Sequence, residues 1–371
     1  MRIFVTDTHT RMALALIREL GQEFPNADIF SVMDTIKREG RAGLHSRYIA
    51  GTADAGDLAL FESESAGPDD ILVPVMGEAV HSDIKNIKGL WPTADALQLA
   101  SDKPKMAQVA RDLGMLVPEE YPADAPRFPC VVKYRNSEAV RLPAASRYAI
   151  ARNFGEYKEA KARLCRASNS EIFDSEYFAS DVFASEYVEG PAYGVSAVLD
   201  ENSDPLAVFS HKRVREYPVS GGPASCAESI WDPELIRSAL TLLKALKLRG
   251  FAMVEFKGYL SEKPYLIEVN PRVWGTYPLS RLCGAGMAKA YVNGALGLAA
   301  PISLTEECPY TLGLRMQFLA NDLCHFAARP DFGVIRDMLS PAVKGGVLDR
   351  SDWAGNFSYI RQNLRNLVKG R

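Results

Sequence analysis

The chain has 371 residues, of which 47% are hydrophobic and 24% charged, and it carries a formal net charge of −3. That length supports two or three domains with cores of their own, and the near-neutral charge argues against broad nucleic-acid binding, since it implies no strongly basic face. Small molecules are the expected partners, with no nucleic acid and no membrane. The six cysteines (Cys130, Cys165, Cys226, Cys283, Cys308 and Cys324) include no Cys-x-x-Cys pair, so reduced thiols are expected rather than a zinc site or a disulfide framework. Met1-Arg2-Ile3-Phe4-Val5 opens a strand with no signal peptide ahead of it. No stretch reaches the length of a membrane span, and a cytoplasmic location is expected.

Residues 1–100 read as an open α/β layer. Ile3 to Thr6 forms a buried strand, Arg11 to Leu20 an amphipathic helix closed by Gly21, and 28–32 and 70–75 further strands; this alternation predicts a parallel sheet. The first turn, residues 6–11, contains no glycine, so the dinucleotide fingerprint is absent. At Ser101-Asp102-Lys103-Pro104 a helix opens, with Ser101 or Asp102 as its cap and proline in its first turn. It ends at Leu113-Gly114. A buried strand follows over 130–133, then a helix over 155–167 and a strand over 182–188. Residues 191–212 alternate as two antiparallel strands around a turn at 200–204. The pattern from Asp232-Pro233 to Arg249-Gly250 has the cap, first-turn proline and terminal glycine of a helix. Strands over 252–257 and 265–270 flank a turn marked by Gly258 and Pro264. Residues 301–371 carry no clear motif and are expected to pack on the core or to build a homodimer contact.

Chemistry concentrates in the last of these hairpins. Glu268 and Asn270 lie two apart and share a strand face, and Glu255 on the partner strand can come alongside. Two carboxylates and an amide repel or desolvate one another unless a cation sits between them, and a sparse all-oxygen donor set suits Mg²⁺. A solvated hairpin in which Lys257 neutralises Glu255 is the alternative. Lys133 ends an otherwise apolar strand. Lys103 stands in the first turn of a helix, where the dipole disfavours a cation unless an anion binds nearby. Glu186-Tyr187-Val188-Glu189-Gly190 leaves a strand for a glycine turn, which either presents backbone groups to an adenine edge or is a plain strand end. Finally, Lys212, Arg213 and Arg215 precede Gly221-Gly222, a basic strand running into a flexible loop, as in a clamp for phosphate or carboxylate.

Taken in order, these segments resemble the ATP-grasp superfamily over roughly residues 1–300, and most of all its carboxylate–amine ligase and carbamoyl-phosphate-synthetase-like branch. The carrying residues are 101–103, 113–118, 128–133, 185–190, 252–257 and 268–275. The resemblance implies an α/β chain, α+β in its nucleotide-binding part: a Rossmann-like pre-ATP-grasp domain (1–100), a small lobe (101–188), a large lobe with the metal site (189–300) and a C-terminal extension (301–371). It implies that Lys103 and Lys133 hold the α- and β-phosphates of ATP. Adenine is read by the Glu186 carbonyl and the Val188 N–H, and ribose by Glu189. Glu255, Glu268 and Asn270 hold Mg²⁺, with Mn²⁺ as a substitute. Arg272, with Arg213 or Arg215, stabilises the transferring phosphoryl group. The implied reaction joins a carboxylate to an amine through an acyl-phosphate and releases ADP and phosphate. An inactive nucleotide-binding regulatory or scaffold protein is the alternative. Two departures stand out: residues 134–143 contain no glycine where many relatives carry a phosphate-covering loop, leaving Arg135, Ser137 and Arg141 as substitutes, and Ala192 occupies a place where some relatives carry the ribose acid. Glu78, His9 and His81 are candidates for substrate-facing loops.

Overall fold

A computed structural model of the chain describes residues 1–33, 45–54, 67, 70–76, 87–136, 146–168 and 182–368. In the N-terminal layer, β1 (Arg2–Val5), helix α1 (Arg11–Glu23), β2 (Asp28–Met33), β3 (Ile49–Asp54) and β4 (Ile71–Val73) follow in turn. The strands pair in the order β3-β2-β1-β4, all parallel, as the strand–helix alternation predicts. Thr10 caps α1 by accepting from the Ala13 amide. Gly21 does not close the helix, which runs on to Glu23. Its lack of a side chain serves packing instead, because a Cβ there would lie 2.2 Å from Cδ1 of Tyr48. Strand β3 lacks apolar alternation, and sequence periodicity does not reveal it.

Helices α2 (Ala94–Ser101) and α3 (Lys103–Asp112) meet at Asp102. Asp102 is the cap of α3, accepting from Lys105 N at 3.1 Å, whereas Ser101 ends the helix before it. Next, β5 (Glu120–Tyr121), β6 (Cys130–Tyr134), β7 (Tyr148–Ala151), α4 (Phe154–Ser168) and β8 (Val182–Glu186) form a small antiparallel sheet in the order β5-β8-β6-β7, with α4 packed on it. It has a core of its own around Cys130, Val132, Tyr134, Ala151 and Leu164.

The large sheet is built from β9 (Ala192–Leu199), β10 (Pro205–Glu216) and β11 (Ala224–Ile230). After helix α5 (Pro233–Ala245) come β12 (Gly250–Lys257) and β13 (Tyr265–Asn270). Helices α6 (Tyr277–Leu282) and α7 (Met287–Ala295) lead to β14 (Arg315–Gln317), α8 (Leu319–Ala328), α9 (Phe332–Leu339), β15 (Lys344–Gly345) and α10 (Trp353–Val368). The strand order is β13-β12-β9-β10-β11-β14-β15, so the last two strands extend the large sheet. One face, with Val195, Ala197, Val208 and Val254, packs on Ala100 of α2, Met106 of α3 and Ile236 and Leu242 of α5. The other face, with Val198, Phe209, Phe251 and Met253, merges with Ile3, Val5 and Leu16 of the N-terminal layer and with Trp274 and Tyr277 in one continuous core.

Helix α5 stops at Ala245, short of the expected terminal glycine. Lys247, with φ 54°, turns the chain, and Gly250 instead opens β12 at φ 70°, where a Cβ would meet the Leu90 carbonyl oxygen at 2.1 Å. The C-terminal helices are tied to the body by buried ion pairs. Arg18 on α1 reaches Asp352 at 2.9 Å, and Arg215 on β10 reaches Asp322 at 2.6 Å and Asp337 at 2.8 Å.

Candidate functional site

The β12–β13 register sets Glu255 opposite Glu268 and Met253 opposite Asn270, which puts both carboxylates and the amide on one sheet face. Asn270 Nδ2 donates to Glu255 Oε1 at 3.3 Å and to Glu268 Oε1 at 3.2 Å. Three cations reach this cluster from three elements. Lys103, at the start of α3, approaches Glu268 Oε2 at 3.4 Å, and Arg213 of β10 pairs with Glu255. Arg272, just past β13, donates to Asn270 Oδ1 at 3.0 Å. The three expected metal ligands therefore stand together. Lys257 does not neutralise Glu255; its ammonium lies over the Tyr187 ring, 5.3 Å from the centroid.

The electrostatics follow from this crowding. Burial pushes the Glu268 carboxyl up, but Lys103, the Asn270 bond, Arg272 and Arg213 outweigh it and hold the pKa at about 2. Glu255 moves the other way: burial, helped by the charge of Glu268, raises it against the pull of Arg213. Lys133 looks into the same space from β6. Burial, aided by the neighbouring Lys103 charge, lowers its ammonium to about 8, and it packs over Phe183 with 5.4 Å to the ring centroid.

The donors of the Glu255–Glu268–Asn270 group are all oxygen once the Asn270 amide turns its Oδ1 inward, an orientation a hydrogen-bond network selects. With Nδ2 facing both carboxylates, the amide stands where a cation would otherwise offset them. Among the described residues no group of three or more His, Cys, Asp or Glu side chains could hold a metal. Two carboxylates and one amide are thus the whole protein-side donor set here, which fits Mg²⁺ completed by phosphate oxygens.

The remaining candidates are distributed as follows. Glu186 ends β8, and its carboxylate accepts from the Glu119 amide at 3.2 Å. Val188 is buried, none of the described residues accepts from its N–H, and Glu189 is exposed. Gly190, at φ 106°, lets this turn lie against Gly258, in the turn between β12 and β13. Arg213 and Arg215 are not equivalent. A bulge sets Arg213 opposite Ala227 and Arg215 opposite Cys226, so the strand gains a residue between them and turns Arg215 away from the carboxylates. Arg215 is locked to Asp322 and Asp337, and the expectation that it serves the reacting phosphate is corrected.

The Gly221-Gly222 loop is a closed turn rather than a loose flap. Gly222 N donates to Pro218 O at 2.9 Å and Tyr217 N to Pro223 O at 3.2 Å, and Gly222 has no room for a Cβ beside the Tyr217 carbonyl. Its Ser220 hydroxyl meets Tyr148 of the small sheet at 3.3 Å, and its Gly222 carbonyl accepts from Arg213 at 3.4 Å. Arg135 abuts the site through its backbone, accepting from Lys103 N at 3.1 Å. Ser137, Arg141, Glu78 and His81 lie outside the described residues.

His211 is a site neighbour that sequence reasoning passed over as part of a charge run. Burial, aided by the neighbouring Arg213 charge, lowers its pKa to about 3, and its Nε2 meets Thr276 Oγ1 at 3.2 Å. Gly194 is the sequence signal, legible only with the register known: it pairs with His211, whose ring leaves 2.3 Å for a Cβ.

Residues 179–320 match the family described as ATP-grasp in the biosynthetic pathway with Ter operon. A sequence comparison with curated proteins finds no match. Among solved structures, the chain is similar to biotin carboxylase from Campylobacter jejuni in complex with β-γ-ATP, with a TM-score of 0.60 at 17% identity over 85% of this chain and 74% of that one. L-amino acid ligase from Bacillus licheniformis gives a TM-score of 0.60 at 13% identity, covering 84% and 78% of the two chains. N5-carboxyaminoimidazole synthetase from Staphylococcus aureus, complexed with ADP, gives 0.60 at 12% identity, covering 85% and 80%. The architecture is the ATP-grasp fold.

Proposed function

We propose that this chain of ATP-grasp fold is an ADP-forming ligase that joins the carboxylate of an amino acid or other small acid to an amine. The observation that carries the reading is the Glu255–Glu268–Asn270 group, onto which Lys103, Lys133 and Arg213 converge from three separate elements. Mg²⁺, or Mn²⁺ in its place, held by Glu255, Glu268 and Asn270 would withdraw charge from the β- and γ-phosphates.

In this reading Lys103 and Lys133 hold the α- and β-phosphates. Phosphate charge beside Lys133 would restore its full protonation, because it offsets the burial and the Lys103 repulsion that lower its pKa. The Glu186 carbonyl and Val188 N–H read adenine, and Glu189 reaches ribose. A substrate carboxylate oxygen attacks the γ-phosphorus, the β–γ bridging bond breaks, and ADP departs. Arg213 and Arg272 offset the charge that spreads over the equatorial oxygens. The amine nitrogen then attacks the acyl carbon, phosphate leaves and the amine proton is lost, giving the amide. Ser220 and Tyr148, which meet across the two sheets, help to keep water from the acyl-phosphate. Release of ADP by the purified protein, with mass spectrometry of products from pooled amino acids and amines, tests the reading. Nucleotide binding with no ADP release above background under any substrate pair would sink it in favour of a non-catalytic regulatory or scaffold role.

A further inference from the structure

The three C-terminal helices turn buried polar side chains to the protein, joined on α9 by Val334, and leave most of their large apolar side chains exposed. On α10, Trp353, Phe357, Ile360 and Leu364 recur at helical spacing and are 63%, 68%, 43% and 57% exposed. The side of α10 that meets the body is polar: Asn356 accepts from Arg18 at 2.9 Å, and Gln362 donates to the His9 carbonyl at 3.1 Å. Helix α9 repeats the arrangement in part, with Phe332 and Leu339 about four-fifths exposed while Asp337, with Val334, is buried. On α8 Leu319 and Leu323 face outward while Asp322 and His325 face in. The four side chains of α10 alone expose on the order of 400 Å² of apolar surface, as much as the largest patch of a typical monomer.

Charge is sorted in the same sense. Asp322, Asp337, Asp349 and Asp352 all pair with arginines, Arg215, Arg315, Arg281 and Arg18, directed from the protein body. The one other carboxylate among residues 319–368, Asp331, caps α9 by accepting from Gly333 N at 2.8 Å. Arg329, Lys344, Arg350, Arg361 and Arg365 are exposed. This segment of a chain with net charge −3 therefore presents a cationic and apolar exterior.

We propose that this C-terminal face docks on an anionic lipid surface, with α10 lying in the interfacial plane. The aromatic and aliphatic stripe would enter the headgroup–acyl boundary, and Arg361 and Arg365 would meet lipid phosphates. A second copy fits less well, since a two-fold contact would lay one cationic face against another. Among the described residues no helix is long and apolar enough to cross a membrane, and the proposed contact is a peripheral one. The inference does not depend on the ligase reading.

The test is co-sedimentation of the full chain with vesicles of phosphatidylcholine containing about a quarter phosphatidylglycerol, beside pure phosphatidylcholine vesicles. Binding is expected to favour the anionic vesicles by about tenfold and to weaken in high salt. The pair Phe357→Ser/Leu364→Ser and the pair Arg361→Glu/Arg365→Glu should each lower it about tenfold, with circular dichroism unchanged because all four positions are exposed. Equal binding to both vesicle types, or undiminished binding by both variants, overturns the proposal. So does a dimer in light scattering that the apolar pair dissociates without any lipid binding by the wild type.

Discussion

Replacing Glu268 with glutamine separates the electrostatic role of this carboxylate from its chemical one. Its pKa of about 2 against an ordinary value of 4.5 corresponds to roughly 3 kcal/mol of stability at neutral pH. Screening at a side chain 28% exposed trims that to about 2 kcal/mol. Because the folded pKa is depressed, the contribution is complete above pH 4.5 and is lost as pH falls through about 2. Denaturant unfolding of nucleotide-free Glu268→Gln should therefore show a deficit of about 2 kcal/mol at neutral pH that narrows visibly near pH 3.5. On the proposed reading ADP release should drop at least about a hundredfold at full protein folding, since the lost oxygen charge would be one of the few protein-side metal donors. A stability deficit that is absent at neutral pH, or independent of pH, would refute the assignment of Lys103 and Asn270 as the partners that hold Glu268 ionised. Undiminished ADP release would remove Glu268 from the site.

Lys133 has the opposite linkage. Its folded pKa is lowered from 10.5 to about 8, so its charged form costs stability below pH 8, and the cost is relieved as pH rises from 8 to 10.5. Lys133→Met should stabilise the nucleotide-free protein by about 2 kcal/mol at neutral pH while weakening ATP binding in calorimetry; unchanged stability would contradict the desolvation of Lys133. Arg215→Met leaves Asp322 and Asp337 short of their buried partner and should cost about 3 kcal/mol in denaturant unfolding, with nucleotide affinity retained at low temperature. Selective loss of nucleotide binding would return Arg215 to the site. Gly194→Ala drives a methyl into the fixed His211 ring and should cost at least about 2 kcal/mol in thermal unfolding, whereas a neutral effect would show that the ring can move.

The site was legible wherever one strand period or one residue type carried the information. Glu268 and Asn270 share a face by spacing alone, and the turn residues between 258 and 264 bring Glu255 opposite. Spacing alone does not tell Arg213 from Arg215: a bulge places an extra residue of β10 between them, the register shifts back by Glu216, and no local sequence signal announces either irregularity. Gly21 and Gly250 look like helix stops but answer to tertiary neighbours, the Tyr48 ring and the Leu90 carbonyl. The C-terminal helices are hard to read from sequence because most of their inward residues, Asp322, His325, Asp337 and Asn356 among them, are polar, the reverse of the pattern by which a core-facing helix is recognised.

The continuous core beneath the large sheet also sets which part of the protein can open independently. Ile3, Leu16, Phe209 and Phe251 belong to a single apolar body, so the N-terminal layer cannot separate from the large sheet without exposing all of it. The small sheet has its own core around Tyr134 and Leu164, and it touches the rest through isolated polar bonds such as Tyr148–Ser220 and Arg135–Lys103. Amide exchange should accordingly divide the molecule unequally, with β6 and β7 losing protection together in a low-energy opening while β1, β9 and β12 exchange only at the global limit. Lys133 travels with the first unit and Glu268 with the second, so each such opening carries the lysine away from the carboxylates it faces.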